Sequence, residues 1–438
     1  MAPLRDTDRA LARDCWYEFT APRGSGWAPL DGAVDCDVAV VGGGLAGLSA
    51  ALELAQRGLS VRVLEAGAVG SGASGRNGGQ AIHGLACDMP VIEAQLGLDD
   101  ARRVFALTIE ALDLIRQRID GHGIACDWQD GFLAVATSPR KAVALEAWAQ
   151  RMATVYDYPM QAIARGDIGR WVASPRYHGG VHDPRSGHLH PLKYTLGIAR
   201  AAAAAGAVLH EGTEVRALED GPVVRLRTAR GEVRARQVLL AGNVHLGGLE
   251  PRLARRIMPV GTYIACTEPL EPRLAASLIP SRSAVCDTDV VLDYFRPTPD
   301  DRLLFGGRVS YSTLTPARLA QSMRQRIVQA FPQLAQARIA HAWGGFVDIT
   351  MNRAPDFGRL PSPGGGAGRV YYLQGFSGHG LALTGMAGRL VAQAMTGEVG
   401  SFELFSRLKH HAFPGGPWLR TPALVLGMAW YRLRDALG

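Results

Sequence analysis

The sequence predicts a two-domain α/β chain, in which a doubly wound dinucleotide-binding unit is joined to a second α+β unit built on antiparallel sheet. Three observations predict it. Residues 37–65 form a strand–turn–helix–strand unit that ends in an acid. Strand-like segments closing on small residues recur at 234–243 and 371–380, as a return to the same sheet requires. Short apolar strands crowd residues 255–310, in MPVGTYIACTEP, VVLDYFRPTP and RLLFGGRVSY. A length of 438 residues accommodates two or three domains with a large core.

Residues 1–34 read as an irregular arm, with Pro22, Pro29 and several glycines ahead of the first strand at 37–41. Gly42, Gly44 and Gly47 then supply G-x-G-x-x-G. Gly42 permits the tight turn, Gly44 lets the main chain approach a pyrophosphate, and Gly47 lets the helix pack on the strand. The helix runs to Gly58, and its N-terminus offers free N–H groups and partial positive charge to phosphates. A strand at 61–64 delivers Glu65, placed to accept hydrogen bonds from ribose hydroxyls. Residues 70–80, GSGASGRNGGQ, have neither strand nor helix period, and a close-approaching loop of this kind suits the flavin end of a long buried dinucleotide better than a nicotinamide.

Helical periodicity follows at 91–120 and 138–154, with a strand at 131–137. An alanine-rich helix at 194–206 returns as a strand at 207–210, and 223–226 alternates before a strand at 234–241. Residues 314–332 read as helix, 338–346 and 371–373 as strands, and GFSGHG (375–380) opens a helix towards 396. The resulting division is an arm at 1–34, a dinucleotide domain from 35–92, 186–250 and 345–400, a substrate domain from 93–185 and 251–344, and a C-terminal extension at 401–438.

The net charge of +7 is spread along the chain without a basic block or aromatic interleaving, which argues against nucleic acid. Only Lys141, Lys193 and Lys409 are lysines. The six cysteines form no C-x-x-C, and the histidines His188 and His190 of HLHP lack a third ligand, so no metal is expected. The N-terminus lacks the apolar core of a signal peptide, and a cytoplasmic enzyme with reduced thiols is expected. The apolar run 423–431, flanked by Arg420, Arg432 and Arg434, is too short to span a bilayer. It reads as packing on the protein body rather than as an interfacial helix. The oligomeric state is left open.

Five motifs in order resemble the D-amino-acid oxidase-like superfamily of FAD enzymes and, within it, the gamma-glutamylputrescine oxidase group of amine oxidases. They are the Gly42-Gly44-Gly47-Glu65 fingerprint, GASGRNGGQ at 72–80, residues 213–215, Ala241-Gly242-Asn243, and QGFSGHG at 374–380. The resemblance spans roughly residues 15–438. It implies a Rossmann-like FAD-binding domain and a substrate domain whose antiparallel sheet covers the flavin, with FAD held non-covalently since His83 falls outside a known attachment pattern. It also implies FAD contacts from Gly42, Gly44, Leu45, Ala46, Gly47, Glu65, Ala66, Ser74, Arg76, Asn77, Gly78, Gly79, Gln80, Val215, Ala241 and Gly242, and from Gly375, Phe376, Ser377, Gly378, His379 and Gly380. The implied reaction is oxidation of a small primary or secondary amine, a gamma-glutamyl-polyamine foremost, by hydride transfer to flavin with oxygen as acceptor.

The glycine-rich turn at 375–380 would aim N–H groups at the charge that develops on reduced flavin, with Ser377 and His379 as added donors. A dry site disfavours the ammonium form of the substrate, and Tyr263, Tyr294, Phe295, Trp343 and Phe376 are candidate walls. His379, Trp343, Tyr263 and Tyr294 are the catalytic candidates. Arg353, in DITMNRAPDFG, is the candidate for a substrate carboxylate, with Arg308 competing. Some relatives carry a lysine that promotes reaction with oxygen. The absence of lysine between 193 and 409 sets a dehydrogenase of D- or N-methyl amino acids using a quinone or other acceptor beside the oxidase reading.

Overall fold

A computed structural model describes residues 4–246, 248–289, 291–310, 318–362 and 368–414, with only the main chain for Arg308 and Ser310. The segment Val38–Val41 is apolar on both faces, which suits the middle of a parallel sheet. Its strand, Gly32–Val41, pairs in parallel with Val61–Leu64 on one side and with Gly231–Leu240 on the other. Val208–His210 and Val370–Gln374 extend the two flanks in parallel, and Asp356–Arg359 closes one edge antiparallel. A hairpin of Ala217–Glu219 and Val224–Arg227 branches from Gly231–Leu240.

The fingerprint helix Leu45–Gln56 lies between Pro191–Ala204 and Leu383–Met395, a close approach that small residues allow. A Cβ on Gly388 would stand 2.5 Å from Cβ of Ser49. Under this layer Arg118, from the helix Leu98–His122, meets Glu53 at 3.0 Å.

The second sheet has nine strands. They run in the order Ile339–Thr350, Ile257–Thr267, Leu303–Ser310, Tyr294–Pro297, Ala284–Asp287, Gln129–Val135, Gly180–His188 and Gln80–Ala81, with Gln161–Ile163 also on Gly180–His188. All neighbours are antiparallel except Ala284–Asp287 with Gln129–Val135. The helix Leu319–Ala330 covers one face with Met323 and Ile327 against Phe295 and Phe305, and the other face meets the dinucleotide domain.

Four expectations are corrected. The arm is not irregular: Leu4–Ala12 and Trp16–Thr20 are helices, anchored by buried Leu11, Trp16 and Tyr17, and the first strand starts at Gly32. Gly180–His188, too polar to alternate, is a strand because partners hold both its edges. It crosses the 185/186 division, and Ile339–Thr350 crosses 344/345, so both divisions fall inside strands of the second sheet. The helix expected to open at GFSGHG starts at Leu383, three residues after it, because the turn itself is held by other bonds. The apolar run at 423–431 lies outside the described residues; among those described, no helix is long and apolar enough to cross a membrane.

Candidate active site

The glycines of the fingerprint are required by contact. Gly42 has φ +116°, and a Cβ there would stand 2.6 Å from the carbonyl oxygen of Ala241. A Cβ on Gly47 would stand 2.1 Å from the oxygen of Gly42, and one on Gly44 would meet Oγ of Ser74 at 2.8 Å. The first intrahelical bond beyond this turn is Leu48 N–H to Gly44 O, so the earlier amides are free of the helix. One of them, Leu45 N–H, donates to Ser74 Oγ at 2.9 Å. Glu65 accepts from the amides of Gly43 and Gly67, both at 2.7 Å, which fixes its carboxylate at the mouth of the sheet.

The loop from Gly72 to Gln80 leads from this cradle to the second sheet, where Gln80 pairs with His188. Its polar side chains face the protein. Arg76 is buried and donates to Asp8 Oδ2 at 2.5 Å, to Asp8 O and to Gly344 O, while Trp343 Nε1 donates to Arg76 O at 3.0 Å. Asn77 folds the loop on itself through Ala73 O, Ser74 O and the amide of Gly79, and Gln80 donates to Val285 O. What the loop offers a ligand is therefore main chain and Ser74, not the side chains of Arg76, Asn77 and Gln80.

Opposite stands the turn at 375–380. Asp348, at the end of its strand, accepts from Gly375 N–H at 2.5 Å, and its main-chain oxygen accepts from Ser377 N–H at 3.0 Å. Asn243, at the end of the Ala241-Gly242 motif, also bonds the Asp348 side chain, so one carboxyl ties two distant motifs together. Burial pushes Asp348 up to about 7, against the pull of the Gly375 amide and Asn243. Ser377, held at φ +53°, turns its hydroxyl to Gly375 O, and His379 N–H bonds Phe376 O. His379 Nε2 donates to the carbonyl of His83 at 2.8 Å, which leaves Nδ1 as acceptor. Burial, aided by the charge of Arg353 and opposed by the main-chain oxygens of His83 and Ile82, holds its ring near pKa 4, neutral at pH 7. His83 in turn sits on Asp183 at 2.7 Å, which also accepts from Tyr158 Oη at 2.8 Å. Burial opposes ionisation of Asp183, yet the bonds from His83, Ser186 and Tyr158 hold it well below the usual carboxylate range.

The family model described as "FAD dependent oxidoreductase" (DAO) matches residues 37–394. The chain belongs to the DAO family. It is 40% identical over 424 residues to gamma-glutamylputrescine oxidoreductase of Escherichia coli, covering 97% of this chain and 98% of that one. It is 37% identical over 413 residues to the probable oxidoreductase OrdL of Haemophilus influenzae, covering 93% and 94%. In fold it matches crystalline glycine oxidase of Geobacillus kaustophilus, with a TM-score of 0.69 at 24% identity over 83% of this chain and 95% of that chain.

The residues present fit the family's FAD. The Gly42–Gly47 cradle has no room for side chains, the amides that precede Leu48 make no bond within the helix, and Glu65 is held beside them. Ala66 and Val215 flank the same end, where Arg5 bonds Ala66 O at 3.0 Å and Val215 packs on the hairpin side of the sheet.

Of the aromatic candidates, the structure separates what the sequence grouped. Tyr263 and Phe295 lie in the core under Leu319–Ala330 and not on the face that meets the dinucleotide domain, and Phe295 stacks on Phe305 at 5.4 Å. Phe376 packs beneath the turn on Phe357, at 5.4 Å. Trp343 lies on the face that meets the dinucleotide domain but is fully buried, with its one donor engaged by the loop. Tyr294 alone is half-buried against the loop: a Cβ on Gly78 would stand 2.6 Å from its ring. Arg353 is exposed at φ +59°, has no carboxylate among the described residues, and places its charge beside His379. The side chain of Arg308 lies outside the described residues. His188 and His190 diverge, one to Arg282 O and the other to Thr20 Oγ, and among the described residues no three ligands converge for a metal. Asp348, Asp183, Asp8 and Arg296 carry no sequence motif; only their partners in space mark them.

Asp348 yields a pH prediction. Its folded pKa lies above its unfolded value, so the native state binds more protons between about pH 4 and 7. Its share of stability is complete below pH 4 and is lost as pH rises through 7, at up to ~1.4 kcal/mol per pH unit. Asp287, pushed by burial to about 7 as well, adds in the same sense. Asp348→Asn is expected to flatten, without abolishing, the decline in urea stability across that window. An unchanged slope contradicts the assignment.

Proposed function

We propose that the chain oxidises the C–N bond of a primary or secondary amine of the gamma-glutamylputrescine type to an imine, which water hydrolyses to an aldehyde. The observation that carries this reading is the near full-length identity to gamma-glutamylputrescine oxidoreductase. FAD, bound non-covalently between the cradle and the turn, supplies a two-electron acceptor for hydride. The protein's part is to hold the amine neutral and oriented. Tyr294 and the glycine turn present low-polarity surface, which disfavours ammonium. His379, whose ring is neutral, would accept a hydrogen bond from the amine nitrogen in this reading, supported by its Nε2 bond to His83 O. Arg353, free of any carboxylate partner among the described residues, suits the α-carboxylate of a glutamyl group at the far end of the substrate.

Arg353→Met is expected to raise KM for the gamma-glutamyl amine by ~10- to 100-fold with kcat within about threefold, as loss of one charge-assisted contact implies. Free putrescine, which lacks the carboxylate, should be indifferent to the change; equal losses on both amines would remove Arg353 from the site.

Anaerobic reduction of the bound flavin, followed by its visible band across a panel of amines and amino acids, tests the substrate class. Faster bleaching by glycine, sarcosine or D-amino acids than by gamma-glutamylputrescine sinks the amine reading. Oxygen is the proposed acceptor, giving hydrogen peroxide. One observation favours the alternative, a dehydrogenase passing electrons to a quinone or other acceptor. Lys141 and Lys193 are paired with Asp289 and Asp127, and Lys409 is exposed, so no lysine stands at the turn. Peroxide yield with and without an artificial acceptor separates the two. The six cysteines are all free thiols, which supports a cytoplasmic location.

A further inference from the structure

Among the described residues three arginines are buried: Arg76, Arg118 and Arg296. The first two have carboxylates, Asp8 at 2.5 Å and Glu53 at 3.0 Å. Arg296 has none. Its Nε donates to Gly78 O at 2.8 Å, Nη1 to Pro297 O at 3.3 Å and Nη2 to Tyr17 Oη at 3.0 Å. The titratable groups around it bring no negative charge at neutral pH. Burial pushes the Tyr17 phenol and the Cys266 thiol up, the latter to about 12. Burial, and then the charge of Arg296 itself, push His188 and His190 down to about 3. A guanidinium taken out of water without a counter-charge is costly, and chains keep one where something else brings the anion.

Its position says what that is. A Cβ on Gly79 would stand 3.0 Å from Nε and Nη2 of Arg296, so the guanidinium lies directly under Gly78–Gly79. This stretch runs from the cradle, where Ser74 bonds Leu45 N–H, to His83, whose carbonyl holds His379. A dinucleotide seated by its pyrophosphate at Gly42–Gly47 would find its ring end beside this stretch, which is the part of the loop that leads from the cradle to the turn. The turn at 375–380 contributes less charge than its sequence promises, since the amides of Gly375, Ser377 and His379 are already bonded within the protein.

We propose that Arg296 is the fixed positive charge that balances the electrons the flavin accepts, acting through the Gly78–Gly79 main chain as a positioning residue. Hydride from the substrate brings two electrons and one proton to the ring, which leaves one net negative charge for Arg296 to meet. The inference rests on FAD binding and not on the identity of the amine.

Sulfite tests it without substrate. Its sulfur lone pair forms a bond to flavin N5 and the displaced electron pair gives the ring the same negative charge. The holoenzyme is expected to form this adduct. Arg296→Gln should weaken sulfite affinity about tenfold or more, as removal of one nearby buried charge implies, while Arg296→Lys and Tyr17→Phe, which keep the charge, stay within about threefold of the parent. If Arg296→Gln does not hold FAD, the Lys and Phe variants decide: a tenfold loss in Arg296→Lys overturns the proposal. So does a parent holoenzyme that forms no adduct, or an Arg296→Gln holoenzyme with parental sulfite affinity and a raised KM, which would assign the cation to a substrate anion. A colourless parent would instead count against FAD, and a failed amine panel touches neither result.

Discussion

Gly47→Ala yields a protein that purifies without flavin. The added Cβ would lie 2.1 Å from the oxygen of Gly42 and 3.0 Å from Cγ1 of Val40. Relief requires moving either the helix Leu45–Gln56 or the turn before it. The turn has little freedom, because Gly42 is itself fixed at φ +116° against Ala241 O. The helix has little more, because Gly388 and Ser49 already touch across its far side. Opening the cradle costs FAD its phosphate amides, and a fall in affinity of ~100-fold or more is expected, equivalent to about 3 kcal/mol of overpacking. The flavin-to-protein absorbance ratio reads this directly. Gly58→Ala is the matched control. It sits at positive φ, +81°, but nothing lies within 4 Å of its Cβ position, so it should lose about 1 kcal/mol of stability and keep its flavin. Full occupancy in Gly47→Ala would disqualify the cradle.

Asp8→Ala has an effect at least as large, on stability, and reaches the cofactor site from the first helix. Removing the carboxylate strands Arg76 in the interior with carbonyls alone, an uncompensated buried charge worth about 3–5 kcal/mol. The side chain of Arg76 is 2% exposed, so solvent does not make up the loss. Arg76 also anchors Gly344 and, through its carbonyl, Trp343, so the loop to Gln80 loosens with it. Urea unfolding should show the loss, and bound FAD should exchange faster with free FAD. Asp100→Ala, whose partners Arg103 and Arg407 are exposed, should change stability by less than about 1 kcal/mol. Equal effects of the two substitutions would remove the first helix from the cofactor site.

The contrast between these two variants marks what was legible in the sequence. Gly47 announces itself, because strand, turn, helix and acid lie within thirty residues or so and each constrains the next. Asp8 does not, because its meaning lies in Arg76, 68 positions away, and nothing local encodes the meeting. The same division runs through the second sheet. Its strands are recognisable as strands, yet Tyr263 and Trp343 could not be assigned to faces, since both faces of Ile257–Thr267 and its neighbour are buried and a bulge after Tyr263 shifts the register. Phe295 and Arg296 are adjacent on one strand and point to opposite sides, one into the core and the other under the loop. Nothing in the sequence sets Arg296 apart from the other arginines, because its lack of a carboxylate, beside Arg76 and Arg118 which have one, exists only in space.

The order of the parallel sheet carries a consequence for biosynthesis. The fingerprint strand is flanked by Gly231–Leu240, and that strand is completed only by Val370–Gln374. A chain emerging from the ribosome exposes the phosphate turn early but cannot close the sheet around it until Val370–Gln374 has been synthesised. For most of translation the apolar strand Val38–Val41 lacks its final covering, which is the condition under which chaperones engage a nascent chain. FAD is then a ligand of the finished polypeptide, and scarcity of flavin should appear as accumulation of full-length apoprotein rather than of stalled fragments.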